Sequence, residues 1–183
     1  MAAKFNRENL QQHSKGCCWI FRKGKIMVKI YKTKLDDEFN LTVLRETAPY
    51  GDGRKKYSAP ALISGLVNDV FDLQHESTEN LVLVGFNTGM HIKGITKIST
   101  GTVNKTVCSP RDIFQKALLM DAVNIAIVHN HPSGDVTPSS DDARIAERIM
   151  QTCDLLEVKL VDSIIVANGG RFYSFAESGI LRN

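Results

Sequence analysis

The sequence predicts an α/β fold: a three-layer sandwich with a central mixed β-sheet, helices packed on both faces, and a small β extension at the N-terminus. Three observations predict it. Short apolar runs such as NLVLVGFN (80–87) and NIAIVHN (124–130) read as buried strands. Between them lie longer segments whose apolar residues recur at helical spacing. Ahead of both, residues 26–46 show the strict alternation of a half-buried hairpin. A chain of 183 residues with 43% hydrophobic residues is long enough and apolar enough to bury a core around such a sheet.

Taken in order, IMVKIYKT (26–33) and FNLTVLRE (39–46) alternate across a polar KLDDE turn, which predicts a β-hairpin. APYGDGRKKYSAP (48–60) gathers Gly, Pro and charge as a linker does, dividing the chain into residues 1–58 and residues 59–183. Next comes SAPALISGLVNDVFDLQ, with Ser58 as cap, Pro60 in the first turn and an apolar stripe at Leu62, Leu66, Val70 and Leu73. NLVLVGFN and HIKGITKIS, separated by TGM, form a strand pair. SPRDIFQKALLM places Ser109 at an N-cap, Pro110 at N1 and Asp112 at N3, so a second helix starts there. After the strand NIAIVHN, SSDDARIAERIMQTCDLL is a third helix, and VKLVDSIIVA and RFYSFAE complete the sheet. No internal repeat or low-complexity tract interrupts this pattern.

Composition excludes several classes. The opening residues carry charge where a signal peptide needs an apolar stretch, and no run approaches the roughly 18 apolar residues of a membrane span. A cytoplasmic location without membrane contact is therefore expected. Cys17, Cys18, Cys108 and Cys153 show no C-x-x-C spacing and are expected to be reduced. Charge is uneven: residues 1–60 hold 13 Lys+Arg and 6 Asp+Glu (+7), which leaves 10 and 14 (−4) for the remainder. The basic segment could contact DNA or another polyanion, although a solvated basic face is the commoner meaning of such a run.

The chemistry concentrates in HNHPSGDVTPSSDD (129–142). Residues two apart on a strand share a face, so His129 and His131 can aim at one point. Two imidazoles make half a zinc site, and a hydrolytic site usually has three His or carboxylate ligands with the fourth position left to water. Asp142 can be the third ligand if the loop folds the next helix back over the strand end. Gly134 tolerates the dihedrals such a reversal needs, and Pro132 and Pro138 stiffen its path. A capping box, with Ser139 as N-cap and Asp142 at N3, is the competing structural explanation of that pair.

H-x-H-x(7)-S-x-x-D resembles the JAMM (MPN+) metalloprotease motif, and SPRDIFQKAL, IAIVHNHPSGDVTPSSDD and YSFAESG resemble the RadC family over about residues 60–180. That resemblance implies a cytidine-deaminase-like fold with Zn2+ held by His129, His131 and Asp142. It implies that Ser139 hydrogen-bonds the oxyanion, and that an upstream glutamate takes a proton from the attacking water and returns it to the leaving group. ENLVLVGFN nominates Glu79 for that part, with Glu76 as the alternative. Two departures stand out. Residues 1–58 lack the helix-hairpin-helix module of longer RadC proteins, and Asp162–Ser163 stands where the family has Asp-His. His13, His75 and His91 match no motif position.

The function implied is a zinc-dependent hydrolase of JAMM type acting on a protein or peptide, through a peptide or isopeptide bond. The alternative is a nucleic-acid-associated repair or mobile-element protein whose zinc domain is structural or acts on DNA. A zinc nucleoside deaminase is excluded, since it needs H-x-E or C-x-E with a downstream C-x-x-C.

Overall fold

A computed structural model describes residues 27–35, 42–101 and 109–181. Their seven strands form one sheet in the order β2-β1-β4-β3-β5-β6-β7. The strands are β1 (Val28–Leu35), β2 (Thr42–Tyr50), β3 (Asn80–Phe86), β4 (Ile92–Thr100), β5 (Asn124–Asn130), β6 (Lys159–Val166) and β7 (Phe172–Ser174). The sheet is mixed: β1 with β4 and β5 with β6 run parallel, and every other neighbouring pair is antiparallel.

Alternation along the central strands sorts side chains into two cores. Leu81, Leu83, Ile125 and Ile127 face helices α2 (Pro110–Leu119) and α3 (Ser140–Leu156), meeting Ile113, Ala117, Ala146 and Ile149. Val82, Val84, Ala126 and Val128 face α1 (Pro60–Phe71), meeting Ile63, Leu66 and Val67. Because β3 is covered on both faces, every one of its residues is buried, which is why NLVLVGF reads as unbroken apolar chain. Helices on opposite faces of one sheet make the expected three-layer α/β sandwich.

The hairpin predicted at the N-terminus is β1 and β2, paired over Val28–Leu35 and Thr42–Tyr50 with a bulge at Ile30/Tyr31. It is hydrogen-bonded to the rest through β4, in register at Ile30 and Ile95. Residues 1–26, with Cys17, Cys18 and much of the basic segment, lie outside the described residues, as does Cys108. Cys153 is buried and reduced. Among the described residues no helix is long and apolar enough to cross a membrane.

Two local expectations are corrected. Helix α1 has Ala59 as its N-cap, with Ser58 one residue outside, because the residue before Pro60 is driven to extended dihedrals (φ −112°, ψ 138°) and so becomes the half-in position. Its inner face is Ile63, Leu66 and Val67, while Leu62 is 37% exposed. Ile63 offers an apolar stripe one residue round from Leu62, and packing against Ile164 and Val166 of β6 selects it. Ser109 is the N-cap of α2, yet its side chain makes no cap bond; the Asp112 N–H reaches the Ser109 carbonyl instead.

Candidate metal centre

Strand β5 delivers His129 and His131 to one point at its C-terminal end, where their Nε2 atoms lie 3.2 Å apart. Both imidazoles emerge on the α3 side of the sheet. The chain then reverses. The Gly134 N–H bonds to the His131 carbonyl in a tight turn, and Gly134 holds φ +82°, where any other residue would be strained. Asp135 steadies the rest of the loop: its carboxylate accepts from the Thr137 N–H (2.9 Å) and hydroxyl (2.8 Å). Its carbonyl accepts from His131 Nδ1 at 2.7 Å. With Nδ1 carrying the proton, a neutral His131 would offer its Nε2 lone pair, the tautomer a ligand needs.

Helix α3 begins against those two rings. Ser139 Oγ accepts from the Asp142 N–H (3.1 Å), and Asp142 Oδ2 accepts from the Ser139 N–H (2.8 Å), which completes the capping box. The same carboxylate belongs to the histidine cluster, with Oδ1 3.1 Å from His129 Nε2 and Oδ2 3.5 Å from His131 Nε2. Cap and cluster are therefore one arrangement. The box orients the carboxylate, and Oδ2, already taken by the Ser139 N–H and hydroxyl (2.6 Å), leaves Oδ1 free to ligate.

The three donors fit a metal. Ligands of a tetrahedral zinc at its usual bond lengths lie about 3.3 Å from one another. Here the two Nε2 atoms are 3.2 Å apart and His129 Nε2 is 3.1 Å from Oδ1, while the 3.5 Å contact of His131 Nε2 is with Oδ2. All three residues are mostly buried, and their ligand atoms lie within 4.8 Å of one another. Charge is correspondingly perturbed. Burial would raise the Asp142 carboxyl, but the bonds from His129, His131 and Ser139 and the charge on His129 outweigh it and hold it far below the usual range. The hydrogen bond to Asp142 raises His131 against the opposing effect of burial, with smaller contributions from the Asp135 carbonyl and the charges of Asp142 and Glu79.

Glu79 lies one residue before β3. The antiparallel register ends with Leu81 paired to His129, two residues after Glu79, so Glu79 leads into β3 at the His131 end of β5. The Glu79 carboxylate makes the smallest contribution to the raised pKa of His131. Glu76 is held elsewhere: its carboxylate is 3.3 Å from Lys97 Nζ, a lysine lying over the ring of Phe71 in α1. Ser139 is exposed at the rim, and its hydroxyl donates to Asp142. Ser163 is buried in β6, beside Ile127 of β5.

Sequence reasoning missed two asparagines. Asn130, between the histidines and pointing to the other face, accepts from the Asn80 N–H (2.8 Å) and donates to the carbonyls of Thr78 (3.0 Å) and Glu76 (3.4 Å). Asn80 donates to the Thr78 carbonyl and accepts from the Thr100 hydroxyl, both at 2.9 Å. Both are buried, and together they fix the segment that carries Glu79. The signal was a polar residue ending each of two apolar strands.

Comparison with known proteins agrees with this geometry. Residues 62–180 match the model of the RadC-like JAB domain. A UPF0758 protein of Desulfitobacterium hafniense is 32% identical over 137 residues, covering 70% of this chain and 60% of that protein. The UPF0758 protein YeeS of Escherichia coli is 34% identical over 119 residues, 65% of this chain and 73% of that one. A Thermotoga maritima UPF0758 protein is 39% identical over 103 residues, 56% and 46% respectively. The chain thus spans well under the full length of most of these relatives. With the domain match covering most of the sandwich and all of the His129–His131–Asp142 cluster, this chain belongs to the RadC-like JAB domain family.

Proposed function

We propose that the protein is a zinc-dependent hydrolase of JAMM type that cleaves a peptide or isopeptide bond. The observation that carries this reading is the His129–His131–Asp142 cluster, in which the two Nε2 atoms lie 3.2 Å apart and His129 Nε2 lies 3.1 Å from Asp142 Oδ1, close to the ligand spacing of a tetrahedral zinc shell. A zinc ion held by these three residues supplies Lewis acidity and lowers the pKa of water to about 7. Glu79 then acts as general base and acid: it accepts a proton from the attacking water and passes it to the leaving nitrogen. Its place two residues ahead of Leu81, the partner of His129, supports that part, and the Asn80–Asn130 bond keeps its segment in place. Ser139 orients Asp142 through two bonds, and a rotation of its hydroxyl at the exposed rim would turn the same proton toward a developing oxyanion. Asp135 keeps His131 in the ligating tautomer.

Metal analysis of the purified chain, followed by assays on peptide, isopeptide and DNA substrates with and without chelator, tests the reading. One equivalent of zinc and chelator-sensitive cleavage of an amide bond are expected. Cleavage of DNA alone, or amide cleavage indifferent to chelator, would replace it.

A further inference from the structure

The two parallel strands β1 and β4 meet in register only at Ile30 and Ile95, and beyond that point they run on to Leu35 and Thr100 without a ladder between them. The gap is a cleft of about 340 Å³, the lower end of the range of ligand sites. Strand edges form both of its walls. Four lysines line it: Lys32 and Lys34 from β1, Lys97 from β4 and Lys116 from α2. No carboxylate is among the described lining residues. Lys97 is paired with Glu76 at 3.3 Å and the buried Lys116 donates to the Ile98 carbonyl at 3.5 Å, so the exposed Lys32 and Lys34 are the lysines the cleft offers to solvent. In one wall the Ser99 Oγ is buried without a hydrogen-bond partner.

We infer that this cleft binds an extended acidic peptide segment, added as a strand along the open edge of β4. The inference rests on the peptidase reading and supplies its substrate class. An extended peptide brings alternating N–H and C=O groups that match the edge β1 leaves without a ladder, and its carboxylates meet Lys32 and Lys34. A single-stranded nucleic acid would also meet the lysines, but it needs free aromatic faces for stacking. Neither ring at the cleft is free. Tyr31 packs over Gly94, and Phe71 lies beneath the Lys97 ammonium. The cleft also leads to the site. Thr100, at its end, pairs with Asn80, and the Gly101 N–H bonds to the Glu79 carbonyl at 2.8 Å. From a strand on the open edge of β4 to β5 is three strand spacings, about 15 Å, so the cleft holds residues beyond the scissile bond and leaves that bond to the histidine cluster.

The test uses the full chain and fluorescence anisotropy with three labelled probes: a ten-residue peptide alternating Glu and Thr, the same peptide with Gln for Glu, and a ten-nucleotide oligothymidine. The Glu peptide is expected to bind at least tenfold tighter than either other probe, in the presence of chelator as well as zinc. N-methylation at alternate residues, which leaves its charge intact, should remove that binding. The exposed pair Lys32→Gln/Lys34→Gln should weaken it at least tenfold with circular dichroism unchanged. Absent Glu-peptide binding, preference for the oligonucleotide, or indifference to N-methylation or to the lysine pair would overturn the inference. The two readings fail separately. Tight Glu-peptide binding without cleavage of any amide leaves the cleft and removes the peptidase; zinc-dependent amide cleavage without Glu-peptide binding does the reverse.

Discussion

Two parallel strand pairs in this sheet are built to opposite standards. β5 and β6 are paired from Asn124 opposite Lys159 to Asn130 opposite Val166, with one register shift at Ile125/Ala126, and the His131 N–H continues the pairing to the Val166 carbonyl at 3.0 Å. β1 and β4 share one registered pair and then part. The first pair carries a cluster whose donor atoms must hold their positions to a few tenths of an ångström. The second joins a hairpin to the sheet through side-chain packing and leaves a cleft. Rigidity is concentrated where ligand geometry demands it, and the open seam is where an extended chain has room.

The largest effect should come from breaking the laddered side. In zinc at about 1,000 times its dissociation constant, the wild-type protein should gain about 4 kcal/mol of stability over its chelated form. His131→Ala should gain almost nothing and lose both its zinc and its hydrolytic activity. Thermal melts with and without zinc, together with metal analysis, read this directly. An equal zinc-induced shift in both proteins would mean that the metal binds elsewhere.

A smaller effect separates the two glutamates that flank this region. Glu79→Gln keeps shape but cannot take a proton, so hydrolysis should fall on the order of 10²-fold or more while zinc content stays at wild type. Glu76→Gln should cost only a partly exposed ion pair with Lys97, within about 1 kcal/mol of stability, and leave turnover unchanged. Rates for both variants, normalised to bound zinc, decide the assignment. Loss of turnover in Glu76→Gln alone would reverse it.

Much of the laddered side was legible in sequence because its constraints are local. Two-residue periodicity puts His129 and His131 on one face, and three-residue spacing puts Ser139 and Asp142 in a cap. The cap is formed as expected, and the same carboxylate lies 3.1 Å from His129 Nε2 in the histidine cluster. The seam was not legible, since β1 meets β4 across some 65 residues and no local period records that pairing. Tyr31 and Gly94 are its complementary halves, a ring and the absence of a side chain, and neither signals the other in sequence. The inner face of α1 escaped for a related reason. Leu62 and Ile63 are equally apolar, and only the partner strand chooses between them.

Gly94→Ala tests the seam itself. An added Cβ would fall 2.4 Å from the Tyr31 ring and 3.0 Å from the Met120 sulfur. Forced overpacking of this kind costs about 1–3 kcal/mol. Hydrogen exchange should quicken across Val28–Leu35 and Thr42–Tyr50, while zinc content and the protection of β5 and β6 hold at wild type. Equal acceleration on both sides would show that the hairpin and the strands that carry the histidine cluster open as one unit.

The finest contrast is between two serines that look alike in sequence, each one residue ahead of a helix and three ahead of an aspartate. Ser139 is a working cap: its Oγ accepts from the Asp142 N–H, and its own N–H and hydroxyl donate to the Asp142 carboxylate. Ser109 holds the same position before α2 with no side-chain bond. Pro110 supplies no N–H at N1, and the Asp112 N–H is taken up by the Ser109 carbonyl at 3.0 Å, so truncating that hydroxyl removes nothing. In chelator, where metal binding does not contribute, Ser139→Ala should therefore cost about 1 kcal/mol, the usual loss of an N-cap. Ser109→Ala should fall within about 0.5 kcal/mol of wild type. Urea melts of the two variants measure the difference. A cost at Ser109 equal to that at Ser139 would mean that its hydroxyl caps α2 in solution, and the distinction between the two helix starts would fall.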